Sequence, residues 1–385
     1  MYRGGTRLCH HPRKMLKMYD WSKYRDWYHR QIILSGFGEI AQKKLAASHV
    51  AIVGAGGLGS PVLQYLSAAG VGEITIIDGD KIDLTNLHRQ ILYGIDDAGK
   101  PKASTAASKI KKNYPHIKIH AIDKMLDASI AREVFPSVDV IIDATDNFPS
   151  RYFINDACVL TGKPIVFASI FKFQLQLSVF NYQHGPTLRC VFPEPPSPED
   201  SPDCQTTGIL GPVAGIAGVW QAMETVKILT GQGNVFSQRL FILDLFENNF
   251  QILNIARNER LWEKQIPQTW EQLSTYDYGT FCGLKQNNKN TMQFKDIVNS
   301  GQYVILDLRE EHERPRIKAS NVLNIALPDL VHRWQELSKD KIYVLICQSG
   351  RRSATAQYVL KNTPLRWMVW EGGVNNIAEK EYLEF

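Results

Sequence analysis

Two loops in this chain combine residue types and spacings that could do chemistry. The first contains Gly54, Gly56, Gly57 and Gly59 and follows the apolar residues 49–53, and the second runs from Cys347 to Arg352 after the apolar residues 342–346. Each pattern predicts a strand, a tight loop and the start of a helix. Glycines let backbone N–H groups approach phosphates, while N–H groups and arginines around a cysteine stabilise a thiolate or persulfide. The pair indicates activation of a substrate followed by sulfur delivery.

The residues around the glycine loop favour ATP over a nicotinamide cofactor. Asp78, at the end of the second predicted strand, could hold ribose hydroxyls in either kind of enzyme. Cleavage of ATP between its α and β phosphates also needs several cationic or polar groups and a carboxylate for magnesium, whereas hydride transfer has little use for them. Such groups occur in the stretches 28–34, 78–80, 84–90, 99–102 and 143–147, with Arg151 close behind.

With these motifs, residues 19–270 resemble the ThiF/MoeB/HesA family, the ubiquitin-activating type of adenylating enzyme. The resemblance implies ATP-dependent adenylation of the C-terminal glycine of a ubiquitin-like sulfur carrier of the MoaD/ThiS type. It implies that the four glycines hold phosphate, that Asp78 holds ribose and that Asp146 positions Mg²⁺. It also implies that Asn86, Arg89 and Lys102 contact the nucleotide phosphates. Arg30 matches an arginine that a homodimer partner lends to the site, so a homodimer is implied.

Residues 291–385 resemble a rhodanese domain, and the whole chain resembles the MoeB-rhodanese architecture. The resemblance implies that Cys347 carries a persulfide, cradled by Gln348, Ser349, Gly350, Arg351 and Arg352. Cysteine-based phosphatases place five residues between cysteine and arginine, and the four here favour sulfur over phosphate. Residues 306–309 after the preceding strand and residues 371–374 near the end add to the resemblance, and we expect Asp307 and Arg309 to pair structurally.

The six cysteines argue against the structural zinc of most ThiF/MoeB/HesA members. They are never three residues apart, and Thr187 replaces the first ligand of a Cys-x-x-Cys pair that would include Cys190. We therefore expect no zinc, with packing in its place and Cys190 in the core. Cys204, after the proline-rich residues 193–203, resembles the family's crossover-loop cysteine, which can form a covalent link to the carrier. The sequence fits two roles for Cys204, a nucleophile and an exposed thiol without a catalytic role. Cys158 is expected in the core.

The order of apolar and helical segments predicts an α/β chain. Apolar runs at 50–53, 74–77, 117–121, 138–142 and 164–168 alternate with helical stretches such as 60–69 and 102–112. This pattern is typical of a Rossmann-like, doubly wound, mainly parallel sheet, with residues 174–182 as an antiparallel extension and a buried helix at 214–229. The predicted domains are a basic disordered tail (1–18), an adenylation domain (19–275), a linker (276–290) and a rhodanese-like α/β domain (291–385).

Charge and composition narrow the partners of the 385-residue chain. The net charge is +5, and the five basic residues before Asp20 account for it, so we expect no nucleic-acid surface on the body. We interpret the basic N-terminal segment as a disordered tail, or as an over-extended gene start with Met18 as the true first residue. An organelle-targeting signal is a weaker alternative. No apolar run approaches the ~20 residues of a membrane span. Scattered cysteines favour the cytoplasm.

The leading hypothesis is a carrier adenylyltransferase joined to a sulfurtransferase, most similar to the enzymes of molybdenum cofactor biosynthesis. Thiamine biosynthesis and tRNA thiolation use similar carriers, and the sulfur donor is open between a cysteine desulfurase and thiosulfate. Other classes stay as alternatives: a nicotinamide-dependent oxidoreductase, a tRNA-modifying adenylating enzyme, and a non-catalytic scaffold.

Overall fold

The strands around the glycine loop form one eight-stranded sheet. The computed structural model describes residues 21–195, 208–258, 266–283, 293–361, 363–370, 372–377 and 379–384. Within them the chain divides into two compact units, the first with the glycine loop and the second with Cys347. The strands of the first unit are β1 (His49–Val53), β2 (Glu73–Ile77), β3 (Lys118–Ile122), β4 (Val140–Asp143), β5 (Ile165–Phe171), β6 (Gln174–Phe180), β7 (Arg239–Asp244) and β8 (Asn249–Asn254).

The sheet is doubly wound, as predicted. Its order is β3-β2-β1-β4-β5-β6-β7-β8, with parallel pairing from β3 to β5 and antiparallel pairing from β5 to β8. The strand order reverses between β1 and β4, and ligands of such sheets bind outside the carboxyl ends of the strands at that point. The glycine loop follows β1, so the topology places it at the switch point.

Helices cover both faces of this sheet. Alternate residues of β1 enter two different apolar clusters: Val50 and Ile52 face one, Ala51 and Val53 the other. This is the pattern of a strand buried on both faces. The helices of the unit are α1 (Trp21–Tyr24), α2 (His29–Ile32), α3 (Gly38–Ala47), α4 (Gly59–Ala69), α5 (Lys102–Asn113), α6 (Ala128–Val134), α7 (Phe148–Thr161), α8 (Leu188–Val191), α9 (Gly211–Thr230), α10 (Trp270–Thr275) and α11 (Tyr278–Phe281).

Two strands of this sheet were not predicted from the sequence. β7 and β8 extend it beyond β6, and every residue of β8 is exposed. An edge strand without a buried face lacks the strict alternation of apolar and polar residues that marks a strand in sequence. The predicted buried helix is α9, which begins at Gly211, three residues earlier than expected, with Pro212 in its first turn.

The second unit is built on a four-stranded parallel sheet in the order β11-β9-β12-β13. Cys347 follows the central strand β12, whose residues alternate between two apolar clusters. The elements of this unit are α12 (Phe294–Asn299), β9 (Tyr303–Asp307), β10 (Arg316–Ile317), β11 (Val322–Asn324), α13 (Leu327–Arg333), β12 (Ile342–Ile346), α14 (Arg351–Leu360), β13 (Arg366–Val369) and β14 (Leu383–Glu384). β10 and β14 form a separate antiparallel pair.

Among the described residues, no helix has the length and apolar character needed to cross a membrane.

Candidate functional site

Two of the four loop glycines are required by backbone packing. Gly54 has φ +96°, and a Cβ there would lie 2.6 Å from the carbonyl oxygen of Ala144. A Cβ at Gly59 would lie 2.0 Å from the carbonyl oxygen of Gly54. Since real Cβ atoms do not approach backbone this closely, these glycines let β1 turn directly into α4 beside the end of β4.

The other two glycines are less constrained by the protein. A Cβ at Gly56 would be 3.4 Å from the side-chain nitrogen of Gln90, and one at Gly57 would be 3.3 Å from Cβ of Ala214. Both are contacts with side chains. The N-terminus of α4, whose N-cap Leu58 makes no side-chain capping bond, leaves helix N–H groups for an anion.

Asp78 ties the end of β2 to the glycine loop. One of its carboxylate oxygens accepts from the amide of Ala55 at 2.7 Å, and the other accepts from the amide of Asp80 at 2.8 Å. Burial raises its pKa, and the nearby charge of Lys102 opposes that rise. Asp78 therefore shapes the loop, and its remaining lone pairs are those that could bind ribose.

The predicted phosphate ligands lie on the segment after β2 and at the start of α5. Asn86 ends a 3₁₀ turn, and Arg89 packs beside Gly57, with its Cγ 3.5 Å from a Cβ built there. Lys102 is buried, and its ammonium group lies 2.9 Å from Asp80. The structure thus brings Arg89 to the loop and pairs Lys102 with a carboxylate.

Asp146 lies just after β4 and presents an exposed carboxylate. Its neighbour Asn147 caps α7 by accepting from the amide of Ser150 at 2.9 Å, so Asp146 is not the cap. Asp143, at the end of β4, is buried, which raises its pKa, and its carboxylate accepts from the hydroxyl of Thr145 at 2.6 Å.

Arg30 lies on the exposed helix α2, away from the glycine loop of its own chain. Tyr28, two residues earlier, packs on Gly70, where a Cβ would lie 2.6 Å from the tyrosine ring. Gly70 ends α4, and Gly59 begins it. The helix has 11 residues, so these ends are separated by about 16 Å along its axis.

The structure adds buried glutamines that the sequence reasoning missed. Gln221 donates to the carbonyl oxygens of Asp143 at 2.6 Å and Val166 at 3.1 Å, and so ties α9 to the ends of β4 and β5. Gln90 donates to Asn86 at 3.2 Å beneath the glycine loop. Gln221 is the first polar side chain after ten apolar or glycine residues in α9, and this was the available sequence signal for it.

Cys347 lies at the end of β12, where the amide of Gly350 donates to its sulfur at 3.1 Å. Gly350 has φ +88°, which favours glycine at this turn. The helix α14 begins at Arg351, directly after this turn. Cys347 is only 1% exposed, so the loop encloses its sulfur.

A second glycine turn braces this loop. A Cβ at Gly373 would lie 2.2 Å from the carbonyl oxygen of Cys347, which accepts from the amide of Val374 at 2.8 Å. The carbonyl oxygen of Gln348 accepts from the amide of Asn375 at 3.1 Å. Gly373, Val374 and Asn375 therefore hold the backbone of the sulfur loop in place.

Asp307 and Arg309 form the expected structural pair. They are fully buried, and Arg309 donates to both carboxylate oxygens of Asp307, at 2.9 and 2.8 Å. Arg309 also donates to the side-chain oxygen of Gln348 at 3.0 Å and to the carbonyl oxygen of Pro315 at 2.7 Å. The pair thus fixes one side of the sulfur loop.

Arg352, which the sequence predicts as part of the cradle around Cys347, is paired with a carboxylate. Its guanidinium forms a bidentate pair with Glu313, with 2.6 Å between Nη2 and Oε2. The hydrogen bond from Arg352 lowers the pKa of Glu313 to about 2. The side chain of Arg351 lies outside the described part of the structure.

Of the remaining cysteines that the structure describes, two are buried and one is partly exposed. Cys158 is in the core as predicted, and burial raises its pKa well above the usual range. The prediction that Cys190 is core is wrong: it is partly exposed and lines a cleft of about 760 Å³. Cys282 is buried. Cys204 lies outside the described residues.

The residues near Cys190 do not fit a zinc site. Its sulfur accepts from the amides of Thr187 and Asn258, each at 3.4 Å. No group of three or more His, Cys, Asp or Glu side chains in the described residues could hold a metal ion. Hydrogen bonds to a single sulfur thus join the segments that hold Cys190 and Asn258.

Fold and sites together define a doubly wound α/β unit with a glycine loop at its switch point, followed by an α/β unit with an enclosed cysteine. The chain matches the ThiF family over residues 28–263 and a rhodanese-like domain over residues 291–380. It belongs to the ThiF family and carries a C-terminal rhodanese domain.

Similar proteins agree with this assignment. A sulfur carrier protein adenylyltransferase of Thermus thermophilus is 41% identical over 69% of this chain and 99% of its own length. An adenylyltransferase and sulfurtransferase MOCS3 of Drosophila sechellia is 35% identical over 87% of this chain and 78% of its own length. The crystal structure of E. coli MccB with ATP has a TM-score of 0.53 at 22% identity, over 63% of this chain and 74% of that chain. At that identity the last similarity supports the fold alone.

Proposed function

We propose that this protein adenylates the C-terminal glycine of a ubiquitin-like sulfur carrier and then delivers sulfur to it from Cys347. The observation that carries the proposal is the enclosed Cys347, whose sulfur accepts from the Gly350 amide, in a chain that also has a phosphate loop at the switch point of a ThiF-family sheet. The names of its relatives, which combine adenylyltransferase and sulfurtransferase, support both halves.

In the first step the carrier's terminal carboxylate attacks the α phosphorus of ATP. A new P–O bond forms, the bond to the β phosphate breaks, and pyrophosphate leaves with its electron pair. Gly56 and Gly57 admit the phosphates, and Arg89, which packs beside Gly57, offsets their charge. Lys102 serves the same role if phosphate oxygens share its ammonium group with Asp80.

Asp146 fits a magnesium ion that is bound together with ATP. Mg²⁺ takes oxygen ligands and is commonly held by one or two carboxylates plus substrate phosphates, and Asp146 offers an exposed carboxylate at the end of β4. When bound, the ion would neutralise phosphate charge.

In the second step the Cys347 persulfide attacks the carbonyl carbon of the acyl-adenylate. The C–S bond forms, the C–O bond to AMP breaks, and AMP leaves. The product is an acyl disulfide, and a thiol must attack the Cys347 sulfur to release the thiocarboxylate and leave a disulfide on Cys347. Cys204 is the candidate thiol within the chain, and an external thiol reductant then restores both cysteines.

Several further proposals follow the same resemblance. The adenylation domain spans residues 19–275, a linker 276–290 and the rhodanese domain 291–385. The protein works in the cytoplasm as a homodimer, most similar to enzymes of molybdenum cofactor biosynthesis, with thiamine biosynthesis and tRNA thiolation as alternatives. Its neutral body disfavours nucleic acid as a partner.

Intact mass spectrometry of the carrier tests the proposal. Purified protein is incubated with ATP, Mg²⁺, a sulfur donor and each candidate carrier. We expect one carrier to exchange an oxygen atom for sulfur. Cys347→Ala should abolish this exchange and leave ATP–pyrophosphate exchange intact.

Two outcomes would contradict the proposal at different points. Thiocarboxylate formed by Cys347→Ala from the same donor would disprove the persulfide step. Absence of pyrophosphate exchange with every carrier would revive a nicotinamide-dependent oxidoreductase or a non-catalytic scaffold.

A further inference from the structure

Glu313 places a carboxylate directly against the arginine of the sulfur loop. Its Oε2 lies 2.6 Å from Nη2 of Arg352, and its Oε1 accepts from Nη1 of the same guanidinium. Oε1 also accepts from the amide of Glu310 at 2.9 Å, which fixes the carboxylate from a second side. Such bidentate pairs have defined geometry as well as strength.

The pair removes most of the net positive charge that Arg352 would offer to an anion. Glu313 stays ionised at neutral pH because the bond to Arg352 holds its pKa at about 2. The Glu313 bond likewise raises the pKa of Arg352, burial opposes the rise, and the nearby Cys347 contributes to it. The neutralised guanidinium is therefore close enough to Cys347 for their charges to interact.

Two further arginines follow Glu313 on the same segment, and their described bonds go elsewhere. Arg314 donates to the carbonyl oxygens of Glu311 and Glu313, and Arg316 donates to the carbonyl oxygen of Glu310 and to Asn324. The guanidinium of Arg309 donates to the carboxylate of Asp307, to the carbonyl oxygen of Pro315 and to the side-chain oxygen of Gln348. Glu311, two residues before Glu313, is exposed and adds negative charge. A dianion that approaches Cys347 would therefore meet the Glu313 carboxylate paired with Arg352, the arginine whose pKa Cys347 affects.

We propose that Glu313 selects the sulfur donor of Cys347, disfavouring free thiosulfate and favouring a persulfide carried on another protein's cysteine. This rests on the proposed function, in which Cys347 carries the transferred sulfur. A cysteine persulfide brings no sulfite group with its two negative charges into the loop, so it does not need an unpaired arginine.

Both donors give balanced reactions. With a cysteine persulfide, the Cys347 thiolate attacks the outer sulfur. A new S–S bond forms, the donor's S–S bond breaks, and the donor cysteine leaves as a thiolate. With thiosulfate, the same attack on the outer sulfur releases sulfite, which takes the electron pair of the broken bond. No outside oxidant or reductant is needed in either case.

The test compares the full-length protein with two variants that each remove one carboxylate charge. Glu313→Gln keeps a side-chain oxygen that can accept from Arg352, and Glu311→Gln is the matched control at an exposed position without a described bond to that arginine. Sulfur loading of Cys347 is timed by intact mass with thiosulfate, and separately with a cysteine desulfurase and L-cysteine.

We expect the thiosulfate rate divided by the desulfurase rate to rise roughly tenfold in Glu313→Gln, because one repulsive charge is lost and one arginine is released. The ratio should change less than about twofold in Glu311→Gln. If the ratio is unchanged in Glu313→Gln, whether both rates stay the same or both fall equally, Glu313 has only a structural role in the loop and does not select the donor. Failure of the unmodified protein to load sulfur from either donor would instead overturn the proposed sulfur step.

Discussion

At the scale of single residues, the four loop glycines are required for different reasons. Gly54 and Gly59 are needed because backbone atoms lie where a side chain would begin, whereas Gly56 meets only the end of a glutamine side chain. A motif read from sequence treats the four alike. The structure separates those that shape the turn from those that leave space for phosphate.

Substitution of Gly56 and Gly59 by alanine tests this division. Gly59→Ala should lower the free energy of unfolding by about 3 kcal/mol, since its Cβ would overlap backbone. Gly56→Ala should change it by less than about 1 kcal/mol, while ATP–pyrophosphate exchange falls at least about tenfold because a methyl group occupies the phosphate path. Urea unfolding and exchange assays measure the two effects. Equal stabilities of the two variants would contradict the assignment.

At the scale of secondary-structure elements, a buried ion pair joins three helices of the first unit. Arg189 of α8 donates to both carboxylate oxygens of Asp156 on α7, at 2.9 and 2.7 Å, and the hydroxyl of Tyr278 on α11 donates to the same carboxylate at 2.8 Å. The guanidinium also packs over the rings of Tyr152 and Phe281. The three helices are therefore held by one charge network.

Removing Asp156 should be costly because it leaves a buried guanidinium without its counter-ion. We expect Asp156→Ala to destabilise the first unit by about 3–5 kcal/mol. Lys43→Ala, which breaks an exposed pair with Glu39 on α3, should cost less than about 1 kcal/mol. Thermal unfolding of both variants measures the difference. A loss below about 1 kcal/mol for Asp156→Ala would show that the network does not hold α8 in place.

At the scale of the whole molecule, each unit has its own pair of apolar clusters, one on each face of its sheet. Nucleotide chemistry and sulfur chemistry thus depend on separate cores. The position of Arg30 bears on the proposed homodimer. Its helix packs at the end of α4 opposite the glycine loop, which supports the proposal that it serves the site of a partner.

Mixed dimers test that proposal. Arg30→Ala and Asp146→Ala should each lose pyrophosphate exchange when pure. If Arg30 acts across the dimer, each mixed dimer contains one intact site out of two, so the purified mixed species should show about half of the normal activity. The variants are co-expressed with different tags, and the mixed species is purified and assayed. Mixed dimers without activity would show that Arg30 and Asp146 act within the same chain.

Much of the fold was predictable because its signals are local. Buried parallel strands such as β1, β2 and β12 are short apolar runs next to loop glycines or a polar turn, and they appear close to their predicted bounds. The exposed strand β8 lacks such a signal. The helix α14 begins directly after Gly350, whose positive φ completes the turn from β12.

The sequence by itself determined the class of chemistry, since glycines between strand and helix and a cysteine before an arginine-containing loop are local patterns. Only the tertiary structure decided how the charges are used. Glu313 and Arg352, which form an ion pair, are 39 residues apart in the chain. Lys102 and Asp80, which form another, are 22 residues apart. Charge pairing depends on distances of a few ångströms between segments far apart in the chain, and packing alone sets those distances.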